Sequence, residues 1–285
     1  MQIDPPPPGA IERAVRAALD EDRASEDAAT LATVAEDLLG QAVFLAKEPG
    51  VFAGMAVIGA VFAAPSPAVT VEPPGHDGEP FAKGGHPAGG HGPVRALLSG
   101  ERTALNFVQR LSASATLARA FVDAVAGTNA VILDTRKTTP GLRDLEKWAV
   151  RCGGATNHRR DLAVMAMIKD NHREALAREG RSLADGVAAI RTLAPGIPVE
   201  VEIDDLADLE AALSGAPEWI LLDNMADEQM AEAVRRTTGR AKLEASGGVK
   251  LSTVAAIART GVDAISSGAL THSQGSLDIS LELTF

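Results

Sequence analysis

Aromatic residues and cysteines are scarce in this sequence. Only 3% of its 285 residues are aromatic and none is tyrosine, so alanine, valine, leucine and isoleucine must fill the core. The single cysteine, Cys152, excludes an internal disulfide framework and fits a reducing cytosol. No apolar run approaches the roughly 18 residues of a transmembrane helix, and the N-terminus lacks the basic-then-apolar order of a secretory signal. We therefore expect a soluble, cytoplasmic protein.

Positive charge is also in short supply. The 27 lysines and arginines are outnumbered by 38 aspartates and glutamates, which gives a formal net charge of −11 at pH 7. This balance argues against a general nucleic-acid-binding or membrane-surface role, although a local basic cluster could still bind a small anion. With 46% apolar residues, the chain has ample material for a core, and its length suits one large domain or two modest ones.

The sequence changes character along its length. Apolar runs broken by Pro and Gly extend from Ala42 to Val71, and the following Gly/Pro-dense segment, HDGEPFAKGGHPAGGHGP, is typical of turns that link short strands. Long helical material follows, and we place a domain change near its start. From Asn129 onward, apolar runs alternate with helical stretches of about 10–15 residues. The runs are NAVILDT, LAVMAMIKDN, VEVEI, WILLDN, KLEASGG and VDAISSGAL.

Such alternation predicts parallel strands joined by right-handed crossovers. Five or six units in succession favour a closed or nearly closed α/β barrel over an open sheet. Because the count falls short of the eight units of a full barrel, we predict an incomplete one.

Chemically active side chains accompany all six runs. In a barrel, the carboxyl ends of the strands meet at one rim, where the active sites of this architecture lie. Six such strand ends in succession therefore predict a site. The side chains are Asp134, Thr135, Arg136 and Lys137 for the first run, Lys169, Asp170, Asn171 and His172 for the second, Glu200 and Glu202 for the third, Asp223 and Asn224 for the fourth, Glu244, Ser246, Gly247 and Gly248 for the fifth, and Ser266, Ser267 and Gly268 for the sixth.

A basic cluster stands out in this acidic chain. Its members repel one another unless they share an anionic partner, and arginine suits a carboxylate or phosphate because it donates paired, parallel hydrogen bonds. We interpret the cluster as an anion-binding site. Its members are Arg136, Lys137, His158, Arg159 and Lys169.

Two further groups complete the predicted rim. Glu202 and Asp223 end neighbouring strands and suit Mg²⁺, which also binds substrate phosphates, although strand-end capping is the simpler alternative. Glu200 shares the face of Glu202 but lies deeper, so it is a weaker candidate. Glycine-bearing loops after the last two strands, at residues 246–248 and 267–268, favour a phosphate site, because glycine exposes backbone N–H groups at the start of a helix.

Several segments, in this order, resemble the quinolinate phosphoribosyltransferase family (nicotinate-nucleotide pyrophosphorylase, carboxylating). They are GERTALNFVQRLS, ILDTRKTTPGLRDLEKWAVRCGG, NHR, IKDNH, VEVEI, LLDNM, LEASGGV and GALTHS…LDISL. The similarity is dense from about Leu97 to the C-terminus. The chain departs from the family pattern after NHR, where residues 160–165 replace a Gly-Leu-x-Asp type of segment.

The resemblance implies an enzyme of de novo NAD synthesis. Quinolinate and phosphoribosyl pyrophosphate would give nicotinate mononucleotide, pyrophosphate and CO₂, with Mg²⁺ as the cofactor. The implied fold is an N-terminal α/β sandwich domain and a partly open, TIM-like α/β barrel. We accordingly predict the sandwich over residues 1–110, with about 271–285 packing back on it, and the barrel over 111–270. The implied assembly is a homodimer with shared active sites, possibly part of a higher oligomer.

The resemblance also implies roles for individual residues. The catalytic set is Lys137, Lys169, Glu202 and Asp223, of which Glu202 and Asp223 hold the ribose and the metal and Lys137 contacts the phosphoribosyl co-substrate. The residues that bind quinolinate are Thr135, Arg136, His158, Arg159 and Lys169, with Arg102 from the other subunit. The residues that bind the 5′-phosphate are Ser246, Gly247, Gly248, Ser267 and Gly268.

Three other functions remain open. A phosphoribosyltransferase homologue associated with molybdenum transport shares the fold and the Thr-Arg-Lys-Thr motif, although the intact NHR and IKDNH segments argue against it. An aldolase-type barrel would use Lys169 as a Schiff-base amine, which requires a desolvated lysine. A non-catalytic anion-binding protein would bind quinolinate without releasing CO₂.

Overall fold

The computed structural model describes residues 3–72 and 75–285, and the chain divides into two compact units. The first unit comprises Met1–Arg119, Lys137–Gly154 and Leu270–Phe285, and the second comprises Ala120–Arg136 and Ala155–Ala269. The predicted boundary between residues 110 and 111 stays a prediction.

Strands occur in both units. They are β1 (Leu39–Ala46), β2 (Gly50–Val51), β3 (Thr70–Glu72), β4 (Pro80–Phe81), β5 (Ala88–Pro93), β6 (Val131–Leu133), β7 (Ala166–Ile168), β8 (Val199–Ile203), β9 (Trp219–Asp223), β10 (Lys242–Ser246), β11 (Ala264–Ser266) and β12 (Ile279–Thr284).

Helices alternate with these strands. They are α1 (Pro8–Glu21), α2 (Ala28–Thr33), α3 (Met55–Ala63), α4 (Val94–Ala124), α5 (Arg143–Cys152), α6 (Asp170–Arg178), α7 (Leu183–Leu193), α8 (Leu209–Ser214), α9 (Asp227–Thr237), α10 (Leu251–Arg259) and α11 (Ala269–His272), with short 3₁₀ helices at Ala24–Glu26 and Leu206–Asp208. In the described residues, none of these helices has the length and apolar character needed to cross a bilayer.

The main sheet of the first unit is antiparallel, with the order β12-β1-β5-β3. Gln41 of β1 pairs with Thr284 of β12 on one side and with His91 of β5 on the other. The last strand of the chain therefore completes a sheet that begins near the N-terminus. Helices α1 and α3 pack against each other in the same unit.

A central strand of this sheet is rich in glycine. The strand β5 has the sequence AGGHGP, which the composition favours as turns, yet it lies between β1 and β3. A Cβ atom at Gly90 would lie only 2.7 Å from the carbonyl oxygen of Thr70 on β3. The glycine is therefore required for close approach of the neighbouring strand.

The core of the first unit is built from small residues and a few phenylalanines. Phe44 on β1 and Phe62 on α3 are fully buried, with ring centroids 6.4 Å apart and planes tilted by 56°. The α3 sequence MAVIGAVFA carries no polar side chain, and its Val57 and Ile58 are fully buried. Leucines and alanines of α4 continue this core.

The second unit contains a six-stranded, wholly parallel sheet with the order β6-β11-β10-β9-β8-β7. Helices connect the successive strands, as right-handed crossovers require. All six predicted strands are present. The predicted fold class, an α/β protein with an incomplete barrel, is confirmed.

The register of this sheet fixes which side chains face together. Glu202 pairs with Leu221 on the neighbouring strand, and Asp223 pairs with Ser246. Residues paired across parallel strands point to the same side, and so do residues two apart on one strand. Glu202, Asp223 and Ser246 therefore share a face at the carboxyl end of the sheet.

Gly153 provides a test of the packing of the first unit. It follows α5, and a Cβ atom there would lie 2.3 Å from the carbonyl oxygen of Ala115 and 2.5 Å from the Cβ atom of Ala118, both on α4. We expect Gly153→Ala to lower the free energy of unfolding by about 2–3 kcal/mol, because a backbone contact cannot be relieved by side-chain rotation. Urea denaturation followed by circular dichroism measures this difference.

Gly59→Ala is the matched control. Gly59 lies inside α3, and a Cβ atom there would meet no other atom within 4 Å. Alanine should stabilise the helix by about 0.5–1 kcal/mol, because glycine loses more backbone entropy on folding. A Gly153→Ala protein as stable as the wild type would contradict the close contact between α4 and α5.

Candidate active site

Polar side chains converge at the carboxyl ends of β7 to β11 in the second unit. The hydroxyl of Ser266 on β11 donates to that of Ser246 on β10 over 3.0 Å. On the other side of the sheet, Lys169 follows β7, and its Nζ lies 3.1 Å from Oε2 of Glu202 on β8. The strand ends that the sequence indicates are therefore brought together at one rim.

The Lys169–Glu202 ion pair joins two predicted site residues. The lysine side chain is 45% exposed and the glutamate 17%, so a ligand at the rim can reach both. The backbone N–H of Lys169 donates to Nδ1 of His172, which fixes the start of α6. The cation and the anion thus face the same part of the rim.

Asn224 links the carboxylate of Asp223 to the glycine loop. Its Nδ2 donates to Oδ2 of Asp223 over 2.8 Å, and its backbone N–H donates to the carbonyl of Ser246 over 2.9 Å. Asn224 has a φ of 53°, a left-handed conformation that asparagine tolerates better than most residues. The sequence indicates Asn224 only as a strand-end residue, and its position directly after Asp223 is the signal that could have identified its role.

The glycine loop has the geometry of an anion-binding turn. Gly247 and Gly248 both have left-handed backbones, with φ of 87° and 58°, and they precede α10. Ser267 directly follows β11, and its buried hydroxyl donates to the carbonyl of Val249. This hydrogen bond connects the end of β11 to the glycine loop. The predicted phosphate residues Ser246, Gly247, Gly248 and Ser267 are therefore neighbours, and Gly268 follows directly in the chain.

Two arginines of the predicted basic cluster lie close together. Burial lowers the pKa of Arg159 below its ordinary value, and the nearby charge of Arg136 lowers it further, while surrounding glutamates oppose the shift. The Arg159 guanidinium donates to the carbonyl of Met165 over 3.1 Å and to the sulfur of Met167 over 3.4 Å. Like charges held this close favour the binding of an anion.

His158 lies between two buried glutamates. Its Nε2 is 3.0 Å from a carboxylate oxygen of Glu244 and 3.3 Å from one of Glu200. Its Nδ1 lies 2.6 Å from the backbone nitrogen of Arg159, and the backbone N–H of His158 donates to Oδ1 of Asp134 over 2.9 Å. Both ring nitrogens are therefore engaged within the second unit.

The protonation of this cluster follows from its burial. Burial alone would lower the pKa of His158, but the hydrogen bonds and charges of Glu200 and Glu244 outweigh it and raise the pKa to about 9. Burial and the charge of Glu244 raise the pKa of Glu200 to about 7, against the lowering effect of His158. With a pKa of about 9 the imidazole of His158 is protonated at neutral pH, and its Nε2–H faces the two carboxylates.

The predicted metal ligands suit a hard cation. Glu202 and Asp223 each use one oxygen, toward Lys169 and Asn224 respectively, and neither side chain is fully buried. Carboxylates at a partly open rim fit Mg²⁺, which keeps several waters and leans on substrate phosphates. Their role as metal ligands stays a prediction.

His158, Glu200 and Glu244 also have metal-binding donors within 4.8 Å of one another. A metal-bound histidine donates a hydrogen from its other ring nitrogen. Here Nδ1 faces a backbone N–H instead, and the raised pKa of His158 keeps a proton on the Nε2 that would have to bind the metal. This cluster therefore fits a proton rather than a metal ion.

The remaining residues of the predicted site are Thr135, Lys137 and Arg102. Thr135 follows β6 in the second unit and is partly exposed. Lys137 and Arg102 belong to the first unit, where both side chains are exposed and the carbonyl of Lys137 accepts a hydrogen bond from Thr271. Their predicted roles stay predictions.

Family models match nearly the whole chain. The model described as "Quinolinate phosphoribosyl transferase, N-terminal domain" matches residues 27–112, and the one described as "Quinolinate phosphoribosyl transferase, C-terminal domain" matches residues 114–282. Among curated relatives, the nicotinate-nucleotide pyrophosphorylase [carboxylating] of Mycobacterium leprae is 44% identical over 277 residues, which covers 94% of this chain and 95% of the relative.

Solved structures are also similar to this chain over nearly its whole length. The nicotinate-nucleotide pyrophosphorylase from Francisella tularensis has a TM-score of 0.91 at 33% identity and covers 100% of this chain and 99% of its own. The protein NadC from Streptococcus pyogenes has a TM-score of 0.91 at 40% identity, with 98% of each chain covered. The similarity therefore extends over both units.

Gly247 tests the phosphate loop. A Cβ atom there would lie 2.3 Å from Oδ1 and 2.7 Å from the backbone nitrogen of Asn224. We expect Gly247→Ala to weaken the binding of ribose 5-phosphate by at least about tenfold, because the loop and Asn224 must separate. Isothermal titration calorimetry measures the affinity.

Gly239→Ala separates this contact from backbone strain. Gly239 has a similar left-handed φ of 76°, but a Cβ atom there would meet nothing within 4 Å. Both variants therefore carry the cost of a left-handed alanine, about 1–2 kcal/mol, and only Gly247→Ala adds the contact. Equal affinities in the two variants would be evidence against a phosphate site at residues 246–248.

Proposed function

Because this chain belongs to the quinolinate phosphoribosyltransferase family, we propose that it transfers the phosphoribosyl group of phosphoribosyl pyrophosphate to quinolinate. Decarboxylation then gives nicotinate mononucleotide, pyrophosphate and CO₂, a step of de novo NAD synthesis. The observation that carries this proposal is one rim with an arginine pair, a carboxylate pair and a glycine loop. These are Arg136 with Arg159, Glu202 with Asp223, and residues 246–248.

The basic side chains bind the dicarboxylate. Quinolinate carries two adjacent carboxylates, and the guanidinium groups of Arg136 and Arg159 compensate them while relieving their own repulsion. Lys169 adds a third charge at the edge of the rim, where Glu202 holds its ammonium group. The resemblance adds Thr135 to this set.

The carboxylates and the glycine loop bind the sugar phosphate. The N–H groups of the loop and the hydroxyl of Ser246 hold the 5′-phosphate, since they precede α10. Glu202 and Asp223 accept hydrogen bonds from the ribose hydroxyls and stabilise the positive charge that grows on the ribose as pyrophosphate departs. Lys137 keeps the role toward the co-substrate that the resemblance implies.

When bound, Mg²⁺ would neutralise the negative charge of the pyrophosphate leaving group. The partly exposed carboxylates of Glu202 and Asp223 are the residues that would hold it. The remaining chemistry needs positioning, since the ring nitrogen of quinolinate forms the new bond to the ribose while the bond to pyrophosphate breaks.

Decarboxylation needs little help from the protein. Once the ring nitrogen is quaternised, its charge stabilises the electron pair left at the neighbouring carbon when CO₂ departs, and that carbon then takes up a proton. Arginines that hold the carboxylates in place are sufficient for this step. No side chain has to act as a covalent nucleophile, and burial raises the pKa of the Cys152 thiol far above its ordinary value, which keeps it unreactive.

The Schiff-base alternative has less support. A Schiff-base lysine needs a desolvated, neutral amine. Lys169 is instead nearly half exposed and lies within hydrogen-bonding distance of a carboxylate. The similarity of both units to quinolinate phosphoribosyltransferases also leaves the molybdenum-associated homologue as the weaker choice.

Turnover of labelled quinolinate tests the proposed function. We expect the purified protein to release labelled CO₂ from carboxyl-labelled quinolinate only when phosphoribosyl pyrophosphate and Mg²⁺ are both present. Chelation by EDTA should abolish release, and added Mg²⁺ should restore it. Folded protein that binds quinolinate but releases no label would leave only an anion-binding role.

A homodimer with shared active sites and a cytoplasmic location belong to the same proposal. The lone, buried thiol of Cys152 supports a reducing compartment. The exposed position of Arg102 on α4 supports its contribution to a neighbouring subunit.

Mixing two inactive variants tests the shared site. Arg102→Ala and Lys169→Ala should each be inactive, but a mixed dimer combines one doubly altered site with one intact site. Refolding an equal mixture should therefore restore about one quarter of wild-type activity, since half of the dimers are mixed and each has one working site. The labelled-CO₂ assay measures the rescue, and inactivity of mixed dimers verified by differential tagging would show that each subunit works alone.

A further inference from the structure

An ion pair of the first unit has no role in the proposed function. Glu146 lies in the first turn of α5, where its side chain is 0% exposed, and Arg110 of α4 lies beside it. The Nε and Nη2 groups of Arg110 both donate to Oε1 of Glu146, over 2.9 and 2.8 Å. Removing a carboxylate from water is costly, and a buried ion pair often contributes little net stability. The other hydrogen bonds of the pair indicate what it holds in place.

The ion pair holds Thr139, which lies two residues after Lys137. The backbone N–H of Thr139 donates to Oε2 of Glu146 over 2.9 Å, and the Thr139 hydroxyl accepts a hydrogen bond of 2.6 Å from Nη2 of Arg110. One oxygen of the carboxylate therefore binds the arginine, and the other binds the main chain. Because Glu146 is buried and both of its oxygens are engaged, its carboxylate is closed to a substrate.

The same arginine is connected to Lys137 itself. Its Nη2 donates to the carbonyl of Thr271 on α11 over 3.3 Å, and the hydroxyl of Thr271 donates to the carbonyl of Lys137 over 2.7 Å. Thr271 is fully buried, so water does not compete for these bonds. The main chain of Lys137 is thus linked to the ion pair through one buried side chain.

A turn closes the other end of the segment. The backbone N–H of Leu142 donates to the carbonyl of Thr139 over 3.0 Å, and Gly141 has the left-handed φ of 82° that such a turn requires at its third residue. Between these anchors, Nε of Arg143 donates to the hydroxyl of Thr138 over 3.1 Å. Residues 137–139 are therefore each held by a hydrogen bond to another part of the first unit.

This anchoring matters because the side chain of Lys137 is exposed. A lysine ammonium is a point charge on a flexible four-carbon stem, so the main chain from which the stem starts sets where the charge can go. A cation that is directed before a ligand arrives loses less freedom on binding. The resemblance gives Lys137 a contact with the phosphoribosyl co-substrate.

We propose that Arg110 and Glu146 form a positioning pair that fixes the main chain of residues 137–139 and thereby directs Lys137 at phosphoribosyl pyrophosphate. The carboxylate anchors the amide of Thr139, and the guanidinium connects this anchor through Thr271 to the carbonyl of Lys137. This inference rests on the proposed function. Arg110 and Glu146 are positioning residues and touch neither substrate.

Glu146→Gln tests the pair. Glutamine preserves the shape of the side chain, but its single oxygen cannot replace both oxygens that bind Arg110 and the Thr139 amide. We expect the Kd for phosphoribosyl pyrophosphate, measured by calorimetry with Mg²⁺, to rise at least about tenfold. The Kd for quinolinate should stay within about threefold, since Arg136 and Arg159 belong to the second unit. Equal losses of affinity for the two ligands would overturn the inference.

A double-mutant cycle distinguishes positioning from direct binding. If the pair acts through Lys137, Glu146→Gln has nothing left to misdirect once that lysine is absent. We expect Glu146→Gln to change the Kd for phosphoribosyl pyrophosphate by less than about twofold in a Lys137→Ala background, and we expect the same of Arg110→Met. Losses that multiply with that of Lys137→Ala would show that the pair binds the co-substrate by another route, and would overturn the inference.

Arg119→Met is the matched control for Arg110→Met. Arg119 lies on the same helix, α4, and its Nε donates to the carbonyl of Gly153, directly after α5, over 2.9 Å. Each variant removes a guanidinium that connects α4 to the region of α5, but only Arg110 also bonds to Thr139. We expect Arg110→Met to weaken phosphoribosyl pyrophosphate binding at least about tenfold and Arg119→Met to leave it unchanged. Equal weakening in both variants would attribute the effect to a loosened α4 and overturn the inference.

Thr139→Val provides a milder test if loss of either charge prevents folding. Valine keeps the shape of threonine and the backbone N–H that binds Glu146, but it removes the hydroxyl that Arg110 binds. We expect the Kd for phosphoribosyl pyrophosphate to rise about threefold or more, and an unchanged Kd in the folded variant would overturn the inference. A wild type that releases no labelled CO₂ would refute the proposed function, whereas an active wild type with unaffected variants would refute only the positioning pair.

Discussion

The parallel register of the sheet in the second unit is the constraint on which the site depends. Side chains alternate between two faces with a period of two, and strand pairing aligns that alternation from one strand to the next. Glu202, Asp223 and Ser246 share a face only because Glu202 pairs with Leu221 and Asp223 with Ser246. A shift of one residue on a single strand would turn its functional side chain to the helices, so the hydrophobic pattern of these strands and the chemistry of the rim are fixed together.

Charged groups at the rim and charged groups deeper on the same face differ in how strongly solvent screens them. At the rim, Lys169 and Glu202 are partly exposed, and solvent moderates their attraction. One layer deeper, Glu200 and Glu244 are shielded from water, and their charges act on His158 and Arg159 with less screening. Glutamates on the same face are therefore accessible to solvent at one level and isolated from it at the other.

Much of this arrangement could be predicted from the residues. The six strands of the second unit and their polar ends follow from periodicity and from the rule that parallel strands end at one edge. Arg159 follows none of these strands, and only its charge grouped it with Arg136. The pairing of His158 with Glu200 and Glu244 could not, because it depends on side-chain depth and on which ring nitrogen meets which partner. Composition also favoured turns for AGGHGP, whereas β5 is a central strand whose glycines permit close approach.

The pairing of β1 with β12 has a consequence for biosynthesis. The antiparallel sheet of the first unit is complete only when β1 (Leu39–Ala46) pairs with β12 (Ile279–Thr284). More than 200 residues separate these two strands along the chain. During translation, β1 emerges from the ribosome long before β12 is made, so the edge of β1 that pairs with β12 stays open while the intervening residues are synthesised. Closing so large a loop also slows this final step. Until β12 has been synthesised, this edge of β1 is open to pairing with other strands, and the sheet of the first unit cannot be completed.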